Sequence, residues 1–140
     1  TTEGGLNLDK NQKKLKNIIQ IFKQAKIRTS LFVNPTIRDI KLSKDLNTDC
    51  VEIHTGRLSN LVKSKKNYYT ELNRIKKSSL LAKKLNIEVH AGHGLDYQTT
   101  KILSKINEIQ EFNIGHFIIG ESIFFGLSKV IRNFKKILKK

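Results

Sequence analysis

Ile87-Glu88-Val89-His90-Ala91-Gly92-His93-Gly94-Leu95 (residues 87–95) starts as a short β-rich apolar run and breaks into glycines around a histidine. Four or five such residues are too few for a helix, and the glycines end the run as a turn would. A strand that empties into a polar, glycine-bearing loop suits a parallel α/β fold, where reacting groups sit at the C-terminal ends of strands. The same pattern recurs along the chain. Residues 29–33 run into Asn34-Pro35-Thr36, and residues 50–53 run into His54-Thr55-Gly56. A fourth strand is expected at 116–119, behind Asn113-Ile114-Gly115 and ahead of Gly120-Glu121-Ser122.

Between these runs lie stretches with helical periodicity. Leu15, Ile18, Ile19, Phe22 and Ala25 follow the i, i+3, i+4, i+7 spacing of one buried face, behind an N-cap expected at Asp9. Further helices are expected from Pro35-Thr36 (Ile37, Ile40, Leu46), from Asn67 (Tyr68, Leu72, Ile75, Leu81) and from Thr99 or Thr100 (Ile102, Leu103, Ile106). The last spans about 128–139 with Val130, Ile131, Phe134 and Leu138 inward. Strands alternating with amphipathic helices imply a parallel sheet, since each parallel pair needs a crossover. No Pro- or Gly-rich linker interrupts the order, so residues 1–140 are read as one domain without a second. Periodicity leaves a small open sheet and part of a barrel both open.

At 140 residues the chain can bury a real core, and it contains no Met, which points to a processed or truncated start; the four-strand pattern favours truncation. One cysteine, Cys50, permits no internal disulfide, and no apolar stretch is long enough to span a bilayer, so a cytoplasmic setting is expected. The net charge of +15 raises nucleic acid as a partner. Only five of the 27 basic residues are arginine, and aromatics are 7% of the chain. Phosphate forks and base stacking favour the opposite balance, so the lysines read as solvated helix faces.

Among candidate site residues, His93 stands between two glycines that free its imidazole at a strand mouth, and imidazole titrates where acid–base catalysis operates. A plain loop histidine fits the same spacing. Glu52 and His54 alternate onto one strand face opposite Val51 and Ile53, where they fit either a structural Glu–His or Glu–Lys pair or a direct catalytic role. Gly115-His116 and Gly120 flank the expected last strand, where barrels often bind phosphate. His54, His90, His93 and His116 lack metal-ligand spacing, so no metal is assigned.

Thr1-Thr2-Glu3-Gly4-Gly5-Leu6, Ser30-Leu31-Phe32-Val33, Glu52-Ile53-His54-Thr55-Gly56, Ala91-Gly92-His93-Gly94-Leu95 and Asn113-Ile114-Gly115-His116 occur in this order over the whole chain. Together they resemble the pyridoxine 5′-phosphate synthase family. The resemblance implies an α/β fold of the (β/α)8 TIM-barrel type, with this chain as the C-terminal half of a single barrel domain, strands five to eight. It implies condensation of 3-amino-2-oxopropyl phosphate with 1-deoxy-D-xylulose 5-phosphate to pyridoxine 5′-phosphate, phosphate and water, without a metal or organic cofactor. By the family pattern His93 matches the proton donor. Gly94, Gly115 and His116 match positions that hold the aminoketone phosphate, and Thr1 matches a contact to the deoxyxylulose phosphate. Two phosphorylated small molecules and further copies of the chain are the partners implied; membrane and nucleic acid are not. Two departures stand out: Glu121 where the family usually has arginine, and His90 where it has a small or amide residue. The family's other half carries the proton-accepting His and Glu.

Overall fold

The computed structural model describes residues 4–139 apart from the side chain of Asn11, and in it four strands are separated by one or two helices, seven helices in all. They are α1 (Leu8–Gln24), β1 (Ser30–Val33), α2 (Ile37–Asp45), β2 (Cys50–His54), α3 (Gly56–Lys63), α4 (Tyr69–Lys84), β3 (Glu88–Gly92), α5 (Tyr97–Leu103), β4 (Ile109–Asn113), α6 (His116–Phe125) and α7 (Leu127–Leu138). The four strands are parallel in the order β1-β2-β3-β4, so each pairs with the next in sequence. Strand order never reverses, as it would in a doubly wound sheet.

Side-chain alternation explains how the sheet is covered. Leu31, Val33, Val51, Ile53, Val89 and Ala91 project to one face and are almost wholly buried with Ile40, Leu58, Ile75 and Leu103 from the helices. The other face presents Phe32, Glu52, His54, Glu88 and His90. Helices cover the first face only, as they do in a (β/α)8 barrel, whose strands turn their other face to the barrel interior. An uncovered apolar sheet face, the expectation for an open section of barrel, is therefore not what the chain exposes. The exposed apolar surface lies on helices instead: Ile119, Ile123, Phe124 and Phe125 of α6, and Ile18, Ile21 and Phe22 of α1.

Several sequence expectations need correction. The fourth strand is Ile109–Asn113, and residues 116–119 open α6. In Ile109-Gln110-Glu111-Phe112-Asn113, Gln110 and Glu111 are exposed, which masks the strand in a search for apolar runs. The all-apolar 117–119 stretch imitates a buried strand but is too close to β4 for a crossover. Gly120-Glu121-Ser122 consequently lies inside a helix, and Glu121 makes no ion pair among the described residues. The N-cap of α1 is Asn7, whose carboxamide oxygen accepts from the Lys10 N–H at 3.2 Å. Asp9 sits in the first turn and pairs with Arg38 at 2.8 Å. Of the five positions on the expected α1 stripe, only Ile19 is fully buried.

Ahead of β1, the Leu6 N–H donates to the Phe32 carbonyl at 2.8 Å and the Gly5 N–H to the Asn34 side chain at 3.2 Å. A Cβ at Gly5 would run into the backbone of Val33 and Asn34. That contact requires glycine there.

Candidate active site

The C-terminal ends of β2, β3 and β4 bring the sequence candidates together. Gly92-His93-Gly94 turns sharply: His93 has φ +77 and Gly94 φ +74, a region that costs a side-chain-bearing residue energy. Thr55 holds His93 there. Its N–H donates to the Gly92 carbonyl at 2.9 Å, and its hydroxyl lies 2.8 Å from the carbonyl oxygens of both Gly92 and His93. That hydroxyl is thereby taken from the adjacent α3 N-terminus, which has no side-chain cap.

The His93 ring is exposed and stacks on the His54 ring, centroids 4.8 Å apart and planes 28° apart. Phe32 meets His54 edge-on at 5.3 Å. Gly56 lies against both imidazoles: a Cβ there would stand 2.6 Å from His93 Cδ2 and 3.0 Å from His54 Cε1 and Nε2. Burial, and then repulsion from His93, push the His54 imidazole below its ordinary range, against a weaker opposite pull from Glu71. His54 is therefore neutral at neutral pH, and its Nε2 is buried without a hydrogen-bond partner among the described residues.

Beneath this pair, Glu52 accepts from the Asn113 carboxamide at 2.7 Å, so an amide satisfies Glu52 rather than the histidine or lysine its strand position suggested. A Cβ at Gly92 would collide with the Glu52 carboxylate. Glycine at 92 thus lets β3 pass close over a carboxylate in the inner face.

His93 separates two clefts. One, of about 540 Å³, is lined by His93, Gly94, Asn113, Gly115, His116 and Lys63. The other, of about 570 Å³, is lined by His93, His54, Gly56, Arg57, Asn60 and Lys66. Gly115 is the N-cap of α6, and among the described residues no side chain caps that helix. Its first-turn N–H groups and positive dipole end, with Lys63 nearby, are suited to an anion such as phosphate. The second cleft joins the uncapped start of α3 to Arg57 and Lys66. Of the five residues that the family resemblance marks, His93, Gly94, Gly115 and His116 share one cleft; Thr1 lies outside the described residues. Sequence periodicity assigns no element between Gly56 and Asn67, so Arg57 and Lys63 of α3 and Lys66 beyond it have no place in that reading relative to the strand ends.

The other polar cluster of the inner face lies at the N-terminal end of the strands. The Arg28 guanidinium reaches Cys50 Sγ at 3.1 Å and Glu88 at 2.6 Å, while His90 bridges Glu88 (2.8 Å) and Glu111 (3.6 Å). Thiol, carboxylate and imidazole come within 4.8 Å of one another, a possible metal grouping by distance. Arg28 already supplies the positive charge between thiol and carboxylate. Burial pushes the Cys50 thiol up, further from the thiolate a metal needs.

The family model for Pyridoxal phosphate biosynthesis protein PdxJ matches residues 1–140. The chain belongs to this family. Among PdxJ relatives, pyridoxine 5′-phosphate synthase of Pelagibacter ubique is 64% identical over 140 residues, covering 100% of this chain and 59% of that protein. The synthases of Zymomonas mobilis and a Sulfurihydrogenibium species are 44% and 43% identical over 138 residues, covering 53% and 56% of their lengths. The chain thus spans a little over half the length of these PdxJ relatives. Among the described residues no helix is long and apolar enough to cross a membrane.

Proposed function

We propose that this chain supplies strands five to eight of a single (β/α)8 domain in a pyridoxine 5′-phosphate synthase. The enzyme would condense 3-amino-2-oxopropyl phosphate with 1-deoxy-D-xylulose 5-phosphate in a cytoplasmic, homo-oligomeric assembly. One observation carries the proposal: a solvent-accessible imidazole, His93, stands between two clefts that each join lysine or arginine to an uncapped helix N-terminus. Two phosphorylated substrates that must react with each other need two anion sites with an acid–base group between them.

In this account Gly94, Gly115 and His116 hold the aminoketone phosphate against the start of α6, and Thr1 contacts the deoxyxylulose phosphate. His93 donates a proton to an oxygen that leaves during ring closure. Its neutral neighbour His54 offers no competing charge.

The test is product formation by the full-length protein. With both substrates present, pyridoxine 5′-phosphate and inorganic phosphate should appear in equal amounts, and neither should appear when one substrate is omitted. Phosphate release from a single substrate, without the pyridine product, would contradict the assignment.

A further inference from the structure

We infer that His54 is a positioning residue for His93, acting through the flat face of its ring rather than through its nitrogens. This rests on the acid role proposed for His93. Three observations converge on it. His54 lies face to face with His93 at 4.8 Å, and Phe32 braces its edge at 5.3 Å. Gly56 lies against both rings, with no space for a Cβ beside His93 Cδ2 or beside Cε1 and Nε2 of His54. The His54 Nε2 is buried and makes no hydrogen bond among the described residues, so none of them holds the ring in the site through that nitrogen.

The His93 ring needs such support. It stands on a backbone at φ +77, is exposed, and accepts or donates no side-chain hydrogen bond among the described residues. Thr55 fixes the His93 main chain, but only ring contacts can choose the orientation of its imidazole. Stacked rings prefer a defined separation and tilt, so a planar neighbour restricts the donor to one plane between the two clefts. Phenylalanine should replace His54 in this role, whereas leucine, of similar bulk but without a plane, should not.

The variants His54→Phe, His54→Leu and His93→Asn, made in the full-length protein, separate the possibilities by steady-state kinetics on both substrates, with melting curves alongside. His54→Leu is expected to lose about 10- to 100-fold in kcat, the scale of a misplaced reacting group, with both KM values within about threefold. His54→Phe is expected to stay within about fivefold of wild type in kcat. Equal loss in the Phe and Leu variants would mean that a His54 nitrogen itself does chemistry, and would overturn the inference. So would wild-type turnover in both, or loss that follows the fraction of unfolded protein. A silent His54→Leu beside a crippled His93→Asn sinks the positioning role alone. A silent His93→Asn removes the proposed acid, and the positioning role with it.

Discussion

At the scale of single residues, the site is built from contacts that leave no slack. Gly56→Ala would place a methyl 2.6 Å from His93 Cδ2 and 3.0 Å from the His54 ring, so one imidazole must move. Overpacking of this kind typically costs about 1–3 kcal/mol. Gly115 is the contrast: it has negative φ and, among the described residues, nothing within 4 Å of a built Cβ, so packing against them does not require glycine there. Gly115→Ala should leave the melting temperature unchanged while raising KM for the aminoketone phosphate, because the methyl would crowd the anion at the α6 N-terminus. An unchanged KM would remove Gly115 from the phosphate site. His54 also sets a pH dependence. Its folded-state pKa is depressed, so the unfolded chain binds the proton more readily. The stability this contributes is fully present above the ordinary histidine value of about 6.5 and is lost as pH falls through the folded-state value. Urea denaturation between pH 5 and 8 should show stability rising with pH in wild type, with a smaller slope in His54→Phe.

At the scale of elements, four helices end in the same way. After α1, α2, α3 and α4 the chain places Lys26, Asn47, Lys65 and Asn86 at φ between 52 and 62. The following N–H reaches back to a carbonyl five residues earlier: Ile27 to Phe22, Thr48 to Ser43, Lys66 to Leu61 and Ile87 to Ala82, at 2.8–3.3 Å. These are Schellman turns without glycine. Lysine at this position carries a Cβ cost that glycine avoids, so Lys65→Gly should stabilise the fold by about 0.5–1 kcal/mol in denaturant titrations. The same turns explain what could be seen in the sequence. α2, α4 and α7 were visible from apolar spacing, and β1, β2 and β3 from their apolar runs. α3 was hidden because its boundary signals are absent: Thr55 caps a neighbouring loop instead of the helix, and Lys65 ends it where glycine would be expected. β4 was displaced because its two exposed polar residues break the run, while Phe117-Ile118-Ile119 supplies one with the wrong structure. The glycine–histidine motifs do not depend on either assignment. Gly115-His116 keeps its place beside His93 whether a strand or a helix follows it.

At the scale of the whole molecule, the sheet exposes a polar face and the helices expose apolar ones. Ile123 and Phe124 on α6 are 78% and 80% exposed, beside Ile119 and Phe125. Clustered surface of this kind drives association, and the +15 charge opposes it through repulsion that salt screens. The 140-residue chain by itself should therefore show a larger mass by light scattering in 0.5 M than in 0.05 M salt, and Phe124→Ser should reduce the difference. A salt-independent monomer would contradict this. The central claim is that the strand ends form one acid–base centre between two phosphate sites, with His93 as its proton donor. The measurement that tests it most directly is steady-state turnover of the full-length His93→Asn protein, folded as judged by its melting curve. General acid catalysis is typically worth about 10²–10⁴ in rate, so kcat should fall by that order while KM for both substrates changes little. Near wild-type turnover in the folded variant would contradict the account.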